Sequence, residues 1–232
     1  MNNPAFSDYS TWRTLGSSPL SPRGPHGGRA GIVVEGVWLL GVRVTAHAVL
    51  NVAEHGRRRA AGLGAVTDPD LLDRLLDLPA SVPVADAAAW AEMQGQPPGI
   101  ANCEEDAGTV SRLLEPPLAI GEVTVRAAGG RELRAVQDAS LFAGFTRRSA
   151  MAARDFIPDS VMLEAKLCGV GIRDRCGMVM LAAEPPVRAT VDGWSWLLQE
   201  KTYSRWLNQQ SGDHVLASPF PATGAASATP EP

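Results

Sequence analysis

Glu164 and Lys166 stand two residues apart inside an apolar stretch, Val161–Cys168 (VMLEAKLC). Alternation along a strand would put Met162, Glu164, Lys166 and Cys168 on one face and Val161, Leu163, Ala165 and Leu167 on the other. Charges on a buried strand are costly unless paired or liganded. Lys166 also stands out by rarity, because Lys166 and Lys201 are the only lysines in a chain whose default cation is Arg. Other reactive residues form weaker patterns. His47 and His55 would have to converge with Cys168 and Cys176 to make a zinc site, and no pair has the usual short ligand spacing. Cys103 is followed by Glu104-Glu105-Asp106, which would raise a thiol pKa and suppress its reactivity. Gly169-Val170-Gly171 completes neither a GxGxxG nor a GxxxxGK[ST] phosphate loop.

The Glu-x-Lys triplet Glu164-Ala165-Lys166 resembles the second half of the PD-(D/E)xK nuclease motif. The resemblance covers this triplet alone. It implies that Glu164 binds a divalent metal such as Mg²⁺ and that Lys166 positions or activates the attacking water. A metal-bound water is a competent nucleophile near neutral pH. The same pattern asks for an earlier metal-binding Asp at a strand end, and Asp138, 26 residues before Glu164, is the best placed. The alternative for Glu164 and Lys166 is a structural ion pair on a half-solvated sheet face.

Composition narrows the partners. The chain has 232 residues, 45% of them hydrophobic and 20% charged, with a formal net charge of −4. That balance gives no global attraction to nucleic acid or to an anionic membrane. Arg57-Arg58-Arg59 is a local basic run, read here as a solvated turn or a small basic patch. Three cysteines without a CxxC argue against a disulfide framework and for a reducing compartment. No stretch resembles a signal peptide, and no run of about 18 apolar residues exists. A cytoplasmic protein without a membrane partner is expected, and the bias toward Arg, Ala, Gly and Pro fits a bacterial genome.

The elements that must position these residues follow from period and punctuation. Residues 1–29 and 213–232, rich in Ser, Pro, Gly and Ala, read as disordered tails around a single α+β domain over 30–212. Gly31–Val52 is rich in β-branched residues and reads as one long or two short strands, bent near Gly36 or Gly41. Asp68–Leu78 predicts a helix with Pro69 in its first turn, and Val84–Met93 a second. Glu122–Gln137 predicts a hairpin turning at Gly129-Gly130. Ser140–Arg154 is helical or loop-like. Val161–Ile172 and Gly177–Ala183 predict strands of another hairpin. Asp192–Gln210 predicts a helix capped by Asp192. Strands and helices do not alternate strictly, so a mainly antiparallel sheet covered by helices is expected.

The last helix carries Trp194, Trp196, Tyr203 and Trp206. It is expected to cover the sheet, with Trp194, Tyr203 and Trp206 as candidate anchors for a protein partner or a second copy, because Trp and Tyr are favoured at interfaces. No complete catalytic constellation is present. The leading expectation is a non-catalytic accessory or regulatory protein that acts through protein–protein contacts and needs no cofactor. The alternative is a Mg²⁺-dependent nuclease that binds nucleic acid and uses Asp138, Glu164 and Lys166.

Overall fold

The computed structural model describes residues 31–80, 82–187 and 192–215. Alternating apolar residues make Gly31–Leu39 (β1) and Val42–Leu50 (β2) a hairpin. Leu40 and Gly41, with φ of 52° and 74°, supply the two left-handed residues of its tight turn. Gly36, at φ 75°, sits at a register shift in β1. The bend expected near Gly36 or Gly41 is therefore two features, a bulge at Gly36 and a turn at Gly41.

Helix α1 (Val52–Ala60) starts at Asn51, whose side chain accepts from the Glu54 amide. Helix α2 (Pro69–Asp77) starts at Asp68, with Pro69 at its first position. The expected helix over Val84–Met93 is shorter. Val84–Ala85 (β3) joins a small antiparallel sheet with Ala101–Glu104 (β4) and Thr109–Arg112 (β5), in the order β3-β5-β4. Helix α3 (Ala87–Met93) begins only after Asp86, whose carboxylate caps it.

Two expected elements are corrected. Glu122–Gln137 is not a hairpin: β6 (Leu118–Arg126) is followed by helix α4 (Glu132–Ser140). The buried Glu132, Ala135, Val136 and Ala139 recur at helical spacing, and Gly129 and Gly130, with φ of 54° and 82°, turn the chain into that helix. Val161–Ile172 is not a continuous strand either. Asp159–Leu167 is helix α5, and only Gly171–Arg173 (β8) is strand. Gly169 stops the helix. At φ 62° it donates to the Lys166 carbonyl while Val170 donates to that of Ala165, a Schellman closure. The segment expected to be helix or loop contains β7 (Arg147–Met151). Short β9 (Val179–Leu181) follows β8, and helix α6 (Gly193–Val215) starts at Asp192, which accepts from the Ser195 amide.

The result is an α+β fold with a mixed six-stranded sheet, β1-β2-β6-β7-β8-β9. Pairs β1-β2, β2-β6 and β8-β9 are antiparallel, and β6-β7 and β7-β8 are parallel. The parallel pairs depart from the expected mainly antiparallel sheet because the crossover segments α4 and α5, both expected to be largely strand, are helices. The tails expected at 1–29 and 213–232 lie outside the described residues, except that α6 runs on to Val215.

The two sheet faces differ. Val34, Val37, Val44, Ala46, Val123, Val125, Ala150 and Ile172 share one face, and all are buried. They form one core with Val136 and Ala139 of α4, Val161 and Ala165 of α5, and Trp196 and Leu197 of α6. Helix α6 packs on β1 and β6, α4 on β6 and β7, and α5 on β8.

A charged lock ties α1 to α6 at one margin of that core. The Arg58 guanidinium is 0% exposed. It donates to Glu54 (2.7 Å), to both oxygens of Glu200 (2.8 and 2.6 Å) and to the carbonyls of Gly64 and Glu115 (3.3 and 2.7 Å). Glu200 also accepts from the Val66 amide (2.9 Å) and Trp196 Nε1 (3.1 Å). Burial alone would lower the Arg58 pKa, but hydrogen bonding and charge from Glu200 outweigh it and raise the pKa. The basic run Arg57-Arg58-Arg59 is therefore neither a plain solvated turn nor a patch, since its middle residue holds the fold together.

Candidate functional site

The polar face of the sheet is built by the same alternation that builds the core. Residues opposite the buried set are Val33, Glu35 and Trp38 on β1, Arg43, Thr45 and His47 on β2, Glu122, Thr124 and Arg126 on β6, Arg147, Ser149 and Met151 on β7, and Gly171 and Arg173 on β8. Register aligns them in rows. One row runs His47–Glu122–Arg147. The next runs Thr45–Thr124–Ser149–Gly171, three hydroxyls and a glycine across four strands. Trp38 lies directly across from Arg43 near the hairpin turn and is 59% exposed.

Glu122 is the centre of a polar cluster. Arg173 reaches over β7 and donates to both of its oxygens, at 2.7 and 3.2 Å. Ser149 Oγ, on the intervening strand, donates to the same carboxylate. A carboxylate held by three donors is a fixed counter-ion. Gly171 closes this corner, for a Cβ there would stand 2.6 Å from Ser149 Oγ. His47 faces Glu122 across β2-β6. Burial lowers the His47 pKa below its ordinary 6.5; Glu122 opposes this and Arg173 adds to it, leaving the ring biased toward neutral. Thr124 is 3% exposed, and its Oγ1 has no hydrogen-bond partner among the described residues.

The residues singled out from sequence fall elsewhere. Glu164 and Lys166 lie on α5, where two residues span about 200° of helix, so they do not share a face. Glu164 is half-buried and within 3.8 Å of the Cys168 thiol, whereas Lys166 is exposed. Asp138 is on α4, ion-paired with Arg134 at 2.9 Å. No group of three or more His, Cys, Asp or Glu among the described residues is placed to hold a metal ion. His55 is hydrogen-bonded to the Tyr203 hydroxyl at 2.8 Å. Cys103 has a raised pKa through burial, not through the neighbouring acidic residues. On α6, Trp194 is 50% exposed, Tyr203 is 1% exposed inside a second core cluster, and Trp206 is half-buried against it.

Sequence reasoning missed the polar face because its residues are spread over β1, β2, β6, β7 and β8. The available signal was the alternation of His47, Thr45 and Arg43, and of Glu122, Thr124 and Arg126, within strands whose other positions are apolar. The chain matches no known family model, no curated protein and no solved structure. No helix among the described residues is long and apolar enough to cross a membrane.

Proposed function

We propose that this chain is a non-catalytic accessory protein that docks an acidic protein partner on the polar face of its large sheet. The observation that carries this role is Trp38, more than half exposed on a regular strand beside Arg43. Trp and Arg are the residues that most often dominate binding energy at interfaces. The same face carries Arg43, Arg126, Arg147 and Arg173 against Glu35 and Glu122, and Glu122 is already neutralised by Arg173. Its basic character is local, since the whole chain has a formal charge of −4. A long polyanion such as nucleic acid would meet net repulsion beyond this face, whereas an acidic protein patch matches it. Trp194 is a second exposed aromatic, on α6, while Tyr203 is occupied within the fold. The three unpaired cysteines suit a reducing compartment such as a bacterial cytoplasm. The metal-dependent nuclease alternative gains no support from a helical Glu164 and Lys166.

The test is a comparison of wild type with Trp38→Ser and Arg43→Glu. A partner captured by the wild type from a bacterial extract is identified, purified and titrated against each protein by calorimetry. Each variant is expected to bind at least tenfold more weakly, and wild-type binding to weaken with salt. Equal affinity for wild type and Trp38→Ser overturns this role, as does tighter binding to random-sequence DNA than to any protein.

A further inference from the structure

The geometry points to an oxyanion seat at Thr124, in the middle of the polar face. Thr124 is the central residue of the hydroxyl row, with Thr45 across on β2 and Ser149 across on β7. Ser149 is committed to Glu122, yet Thr124 Oγ1 is buried and makes no hydrogen bond among the described residues. A buried hydroxyl without a partner is destabilising unless something supplies one. The sign of the missing partner follows from the surrounding charges. Arg126 is two residues along the same strand, so it shares the face; it is exposed and has no carboxylate within ion-pair distance among the described residues. Arg147 lies on the next strand, β7, and Arg173 on β8 beyond it, already paired with Glu122. The negative charge closest in the strand, Glu122, is ion-paired with Arg173 and accepts a hydrogen bond from Ser149. A hydroxyl without a partner and an exposed guanidinium two residues along the same strand face are groups that can receive a carboxylate or phosphate oxygen.

The seat lies on the proposed docking face and would take an acidic group of the partner, so its biological role rests on that proposal. The seat itself is tested without any partner. Wild type, Thr124→Val and Arg126→Gln are titrated with inorganic phosphate and, separately, with succinate, against sodium chloride at matched ionic strength. Amide shifts around Thr124 and the melting temperature are followed. Wild type is expected to show saturable shifts with at least one oxyanion and none with chloride. Stronger binding of phosphate would assign a phosphoryl group, and stronger binding of succinate a carboxylate. Thr124→Val keeps the shape and removes the hydroxyl. It is expected to melt at the same temperature or higher without ligand, and to bind the oxyanion at least fivefold more weakly. Arg126→Gln is expected to weaken binding by a similar factor, and it provides the answer should Thr124→Val not fold. Equal titrations for wild type and both variants overturn the seat, as do shifts that chloride reproduces or the absence of shifts with either oxyanion. Failure of the docking role would appear differently, as a Trp38→Ser protein that keeps both its partner and its oxyanion binding.

Discussion

Two clusters of Glu and Arg in this molecule use the same chemistry at opposite levels of satisfaction. Around Arg58, every guanidinium N–H has a partner, Glu200 takes four hydrogen bonds, and water is shut out. Around Glu122, the ion pair with Arg173 is only half-buried, a neutral-biased histidine stands beside it, and one neighbouring buried hydroxyl is unsatisfied. A closed network orders α1 and α6 and leaves nothing for a ligand. An open one gives up stability and keeps groups free to bind. The contrast separates residues that build the fold from residues that can serve it.

The largest expected effect tests the closed network. Arg58→Met would leave Glu54 and Glu200 buried without their cation, and urea unfolding should show a loss of about 3–5 kcal/mol. A loss below 1 kcal/mol would mean the network is far less dry than its geometry indicates. Arg173→Met removes the matching cation of the open cluster, where solvent and Ser149 remain. Its expected cost is about 1 kcal/mol or less. A value equal to that of Arg58→Met would erase the distinction between the two regions.

Titration separates them further. Folded His47 resists protonation, so below its unfolded value of about 6.5 the unfolded chain binds the extra proton. Stability should therefore fall as the pH drops from about 6.5 through the lowered folded value, and His47→Gln should flatten that segment. In the closed network, burial pushes the Glu54 pKa up, but hydrogen bonds from Arg57 and Arg58 outweigh this and lower it. Its contribution is complete above the ordinary carboxylate value and disappears only as the pH falls through the lowered one. An unchanged pH slope in His47→Gln, read from unfolding curves between pH 7 and 5, would remove His47 from this account. The smallest effect is that of Trp38→Ser, which should change stability by no more than about 0.5 kcal/mol, as an exposed surface position does. A much larger loss in thermal unfolding would mark Trp38 as part of the fold and not of a docking face.

Much of the fold was legible where the physics is local. Asp68 before Pro69, Asp192 before α6 and the alternation in β1 and β2 each carry their own signal, and each element formed where that signal lies. The stretches 122–137 and 161–172 were misread because short apolar runs fit a period of two and a period of 3.6 almost equally well. Ala135 and Val136, or Val161 and Ala165, reveal a helix only once the sheet shows which side is buried. The candidate site moved for the same reason. Glu164 and Lys166 share a face on a strand but not on a helix, whereas Glu122, Ser149 and Arg173 are 27 and 24 residues apart in sequence and meet only across three parallel strands.

By itself, then, the sequence determined the helix starts at Asp68 and Asp192, a bend near Gly36 or Gly41 and the β-rich character of the first strands, because neighbours within a few residues fix those features. Tertiary structure alone decided that β6, β7 and β8 run parallel, that Arg58 is sealed between two helices, and that arginines from four strands share a face with Trp38. These depend on pairings between distant residues, and the free energy of such pairings belongs to the assembled sheet and not to any segment of the chain.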